Sequence, residues 1–110
     1  MPHVSITGLT LKGPWHLPWF WRHTLASVAS VRRSEGLISF DARQVGRTHH
    51  TLTVWEDAAA MRRFFAGPAH RRAMRGWRRH GTGRVLGYTT DAPPGWDEAL
   101  MRLARDGRQL

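Results

Sequence analysis

The period of the apolar positions changes several times along the chain, and each change marks an element. His3 to Lys12 is rich in β-branched and apolar residues and stops at Gly13-Pro14, which predicts a first strand. From Leu17 onward Trp21, Leu25, Val28 and Val31 recur at helical spacing, with Pro18 suited to a first turn and Arg32 and Arg33 placed to complement the dipole of the last one. That helix ends before Gly36. Leu37 to Val45, with Ile38, Phe40 and Ala42 on one side, and Thr48 to Trp55 then predict a hairpin across Gly46-Arg47.

Asp57 is a good N-cap, and the alanines and Met61 behind it favour helix. Gly67-Pro68 interrupts, and a further helix is predicted from Ala69 to about Arg79. It sets His70, Ala73, Met74 and Trp77 on one face and Arg71, Arg72, Arg75 and Arg78 on the other. Gly81 to Gly83 is expected to break the chain before a fourth strand, Arg84 to Thr90. The segment 91–110 reads as a turn, Asp91 to Gly95, and a tail helix, Trp96 to Arg105. The order βαββαβ predicts an α+β, ferredoxin-like domain over residues 1–110, an antiparallel sheet with helices on one face. A sheet face without helices must bury its apolar residues elsewhere, so a homodimer is expected.

Composition narrows the function classes. With 110 residues, 41% of them hydrophobic, one ordered domain is expected. The absence of cysteine excludes disulfides, thiolate metal sites and a catalytic thiol. No leader pattern precedes Val4 and no apolar run approaches the roughly 20 residues of a membrane span, so the expectation is a cytoplasmic protein. The net charge of +9 comes almost wholly from arginine spread along the chain, and no nucleic-acid motif accompanies it. Nucleic acid is therefore disfavoured as the main partner.

The segments Leu9-Thr10-Leu11, Thr51-Leu52-Thr53-Val54-Trp55-Glu56, Phe64 and Ala69-His70-Arg71-Arg72-Ala73-Met74 resemble the antibiotic biosynthesis monooxygenase superfamily of dimeric α/β barrels. The resemblance implies a dimer with a pocket between helices and sheet in each chain. It also implies a choice among cofactor-free oxygenases of aromatic polyketides, haem-degrading enzymes, related isomerases and proteins without known activity. Lined up with the haem-degrading branch, Thr7, Phe64 and Met74 stand where that branch has asparagine, tryptophan and histidine. The quinone-forming oxygenases use an asparagine, a tryptophan and a tyrosine; this chain has no asparagine, and Tyr88 is its only tyrosine.

The remaining groups suit a base and an apolar wall. Neutral histidine is the natural base near pH 7. His70, from its apolar helix face, and His50, on the strand face of Leu52 and Val54, the apolar pair expected to lie under the helices, are the candidate catalytic residues. Trp19, His23, Trp55, Phe64 and Tyr88 are the candidate substrate-binding walls. Each has a structural alternative: hydrogen-bonded core histidines, and tryptophans, including Trp15 and Trp21, that serve packing, dimerisation or a membrane interface. No cofactor is called for, and no metal-ligand spacing occurs, since His49 and His50 diverge along a strand. The leading expectation is a cofactor-independent monooxygenase or related enzyme acting on a hydrophobic aromatic or polyenic molecule. A non-catalytic dimeric module binding a ligand or partner is the alternative, and a basic surface protein docking on nucleic acid or acidic lipid is the third.

Overall fold

A computed structural model of the chain describes every residue but Gly76, and the side chains of Ala69, Ala73 and Arg78 also lie outside the described set. The elements are β1 (His3–Leu11), a 3₁₀ turn (Pro14–His16), α1 (Leu17–Arg32), β2 (Leu37–Val45), β3 (Thr48–Trp55), α2 (Ala58–Phe65), α3 (Pro68–Met74), α4 (Trp77–His80), β4 (Gly81–Thr89), α5 (Trp96–Asp106) and β5 (Arg108–Gln109). The sheet is antiparallel throughout, in the order β2-β3-β1-β4-β5, which is the ferredoxin-like α+β arrangement with one short strand added at the edge.

Local chemistry sets most boundaries as expected. Asp57 caps α2 through its Oδ1, which accepts a 2.8 Å hydrogen bond from the Ala60 backbone N–H. Pro68 opens α3 within its first turn, where a missing N–H costs nothing. The single helix predicted from Ala69 to Arg79 is instead two, α3 and α4, so Trp77 belongs to a different helix from His70. The face assignments of Ala73 and Arg78 lie outside the described residues.

Two strand expectations are corrected. The glycines at 81 and 83 do not break the chain but belong to β4, where they make room. A Cβ on Gly81 would run into the Thr10 carbonyl oxygen and meet the Trp77 ring at 2.8 Å. One on Gly83 would meet the side chains of Leu9 and Leu110, each at 2.8 Å. In β2 the register shifts between Leu37 and Ser39. Leu37 consequently joins Phe40 in packing against the cluster of Trp55 and Ala60, while Ile38 is left 54% exposed.

Helices α1 to α4 lie on one sheet face. There Leu11, Phe20 and Trp77 form one buried cluster and Val31, Trp55 and Ala60 another. The tail helix α5 packs on the opposite face, burying Ala99 and Leu103 against Val4, Ile6, Leu52 and Val54. That face was expected to carry no helix; it is covered in part because α5 presents its own apolar stripe to it. Trp96 fastens the start of α5 to β2 by donating from Nε1 to Asp41 Oδ2 at 2.7 Å. Among the described residues no helix is long and apolar enough to cross a membrane.

Candidate functional site

Strand alternation divides the side chains of the sheet between the two faces. The register pairs Thr7 with Thr51 and with Val85, and Ser5 with Thr53, so these residues point together toward α1 to α4. Between that floor and the helices lies a cavity of about 520 Å³. Its floor includes Ser5, Thr7, Leu9, Thr51, Thr53 and His49; its roof includes Trp19, Phe20, His23, Ser27, Val28, Phe64, His70 and Trp77. Its size suits a drug-sized molecule, and apolar walls with a few polar groups are what small-ligand sites generally present.

The cavity brings together five of the seven sequence-predicted site residues: Trp19, His23, His50, Phe64 and His70. Trp19 is held in place by His80, whose ring stacks on it at 3.8 Å and 11°, and by His23 at 4.7 Å. Phe64 sits 5.6 Å from the His70 ring, and Phe65 sits 4.6 Å from it. Burial pushes the His70 pKa below its usual value, and a hydrogen bond to the Phe65 backbone opposes this in part. His70 is therefore neutral near pH 7, with a nitrogen lone pair in an aromatic surrounding.

Two predicted residues do not line it, and His50 lines it with its ring turned away. Trp55 is fully buried beneath Phe64, at 5.6 Å, and donates from Nε1 to Thr53 Oγ1 at 2.9 Å; it supports the wall from behind. Tyr88 lies on the α5 face with the Arg102 guanidinium 4.8 Å above its ring. His50 lines the cavity from β3, while its imidazole turns to the α5 face, over Gly8 and beside Leu103. The expectation that Leu52 and Val54 lie under α1 to α4 is thus inverted. Both faces of the sheet are covered, so an apolar pair on one face does not tell which helices cover it.

The same inversion brings in a residue the sequence reading set aside. His49 points into the cavity, 4.5 Å from the Phe20 ring, with its pKa lowered by burial. The alternation Thr51, Thr53, Trp55 on its own face was the signal that could have found it. Three residues of the lining carry a polar atom, Ser27 Oγ, His50 Nδ1 and Trp77 Nε1, that is buried without a partner among the described residues. Among the described residues no three metal-ligating side chains gather.

Residues 21–76 match the sequence model of the family described as antibiotic biosynthesis monooxygenase. No functionally curated protein matches the chain in sequence. Among solved structures, Rv0793 of Mycobacterium tuberculosis superimposes with a TM-score of 0.76 at 13% identity, covering 86% of this chain and 100% of that one. SnoaB of Streptomyces nogalater, a cofactor-independent oxygenase, superimposes with a TM-score of 0.68 at 18% identity over 83% and 94% of the two chains. PA3566 of Pseudomonas aeruginosa gives 0.70 at 23% identity over 83% and 95%. At these identities the likeness is one of fold.

Proposed function

We propose, from the premise that this chain belongs to the antibiotic biosynthesis monooxygenase family, that its cavity oxygenates a planar, hydrophobic phenol or enol without a cofactor, with His70 as the general base. The observation that carries this reading is the cavity itself: a roomy, aromatic-walled space with a neutral, half-buried imidazole on its wall. SnoaB, a cofactor-independent oxygenase, shares the fold, which supports the reading. The family resemblance supplies neither an asparagine nor a cavity tyrosine here, so His70, His49 and the hydroxyls of the floor are the polar groups left to do the work.

In the proposed reaction His70 takes the acidic proton of the phenol or enol, and the resulting carbanion carries the electrons to be transferred. Dioxygen accepts them and forms a carbon–oxygen bond, giving a hydroperoxide. Loss of water then converts a CH₂ carbon to a carbonyl, so that one oxygen atom enters the product and the other leaves as water. The substrate loses four electrons and dioxygen gains four. The walls hold the ring and keep bulk water away from the carbanion.

Oxygen uptake with a panel of tricyclic phenols in metal-free buffer tests this. Turnover that falls by about 10²–10⁴ in His70→Ala, the range of a lost general base, is the expected result. Undiminished turnover in that variant would remove His70 from the role, and tight binding of the phenols with no uptake would leave a ligand-binding module instead.

The functional unit in this reading is a homodimer. Helix α5 leaves β2 largely uncovered, with Ile38 and Val45 54% and 48% exposed, and a second copy would bury them. Light scattering at micromolar concentration should give twice the chain mass, and a monomer would refute the assembly.

A further inference from the structure

We infer that the helical layer over the cavity is a docking surface for an anionic lipid bilayer, and that a hydrophobic substrate reaches the cavity from that bilayer. The first observation is the distribution of charge. Residues 12–35 and 56–80, which hold α1 to α4, carry eleven of the chain's 17 Lys and Arg residues but only three of its 8 Asp and Glu residues, so this layer holds +8 of the +9 net charge. Arg22, Arg62, Arg63, Arg71, Arg72 and Arg75 are all exposed. The ion pairs formed among the described residues, Arg102 with Glu98 and Arg105 with Asp106, both lie on α5, on the other side of the sheet.

The second observation is what stands among those arginines. Leu17, Trp21 and Leu25 recur every four residues along α1, and they are 36%, 47% and 64% exposed. Trp15, in the turn that leads into the helix, is 74% exposed. A stripe of tryptophan and leucine flanked by cations is suited to the headgroup boundary, where the apolar side chains enter the acyl region and the guanidinium groups meet lipid phosphates.

The third observation joins this stripe to the cavity. Trp21 and Leu25 are exposed and line the cavity as well, so the docking stripe is also the rim of the site. A molecule dissolved in the bilayer could pass between them without crossing water.

Other occupants fit less well. A second copy would bring two layers of +8 together and be repelled. Nucleic acid would satisfy the arginines but offers no apolar medium for Leu17 and Leu25. Docking does not depend on the oxygenase reading, because it is measured by lipid binding rather than turnover; only the route of the substrate rests on that reading.

The test is flotation with vesicles of phosphatidylcholine and phosphatidylglycerol, in a ratio of about 2:1, against pure phosphatidylcholine. At least about tenfold stronger partitioning to the anionic vesicles is expected, weakening as salt is raised from about 0.05 to about 0.5 M. Two double variants, Trp15→Ser with Leu17→Ser and Arg71→Glu with Arg75→Glu, should each lose most of the binding, with circular dichroism and melting confirming that they fold. Failure of the wild-type protein to float at low salt would overturn the inference. So would full retention of binding in the Trp15 and Leu17 variant, which would reduce the effect to ion exchange, or preferential binding to duplex DNA that anionic vesicles cannot displace.

Discussion

The two faces of the sheet are built from the same strands and solve opposite problems. On the α5 face Val4, Ile6, Leu52 and Val54 close against Ala99 and Leu103, and the space is filled. On the other face their sequence neighbours Ser5, Thr7, Thr51 and Thr53 form the floor of an open cavity beneath α1 and α3. Alternation along two strands therefore separates stability from binding at single-residue resolution: one residue in a strand supplies core, and the next supplies site. The apolar face can be closed by a short helix because its residues are branched and complementary. The hydroxyl-bearing face stays open because small polar side chains do not fill the span to helices carried on Phe20, Trp77 and Trp55.

The widest gap between the faces should appear in adjacent alanine substitutions. Ile6→Ala, at a fully buried position, is expected to cost about 2–5 kcal/mol, whereas Thr7→Ala beside it should cost under about 1 kcal/mol, since it removes a methyl and a hydroxyl from a cavity wall. Urea titration of both proteins measures the difference, and equal losses would dissolve the contrast.

Acid should act on the cavity face next. Burial lowers the pKa of His70 and of His49, so the folded chain holds these rings neutral at a pH where the unfolded chain begins to bind protons. Their contribution to stability is thus fully present above about pH 6.5, the ordinary histidine value, and is lost as pH falls toward and through the lowered folded values. Any turnover that depends on neutral His70 should fall with its own lowered pKa, below the range of a free imidazole. A melting series from pH 8 down to about pH 5, with His70→Gln and His49→Gln each flattening the slope, is the check.

The smallest effect belongs to the clasp at the start of α5. Asp41→Ala removes the acceptor of the Trp96 indole and should lower the melting temperature slightly while leaving ligand affinity at the cavity unchanged. Altered affinity would mean that the two faces communicate.

The sequence made the order of elements legible, because β2 and β3 are bounded by turn residues. It also marked His70, Trp19, His23 and Phe64, which lie on helices whose apolar sides can face only the sheet. It did not reveal which sheet face those helices cover. Leu52 and Val54 are apolar, and Thr53 and Trp55 are buried as well, so period two assigns residues to common faces without saying what each face meets. Both His49 and His50 line the cavity, but only the His49 ring points into it, and period two alone does not tell the two apart. Gly81 and Gly83 misled for a related reason: a glycine that relieves a contact with Trp77 or Leu110 looks, in sequence, like a glycine that ends an element.

The most direct test of the division of labour is a fluorescence titration of a tricyclic phenol against two variants that each add one aromatic ring. Ser27→Phe fills the cavity, and Ser39→Phe places the same ring on the opposite, exposed side of the sheet. Loss of binding in the first with wild-type affinity in the second is the predicted result. Undisturbed binding in Ser27→Phe would place the ligand elsewhere and contradict the account.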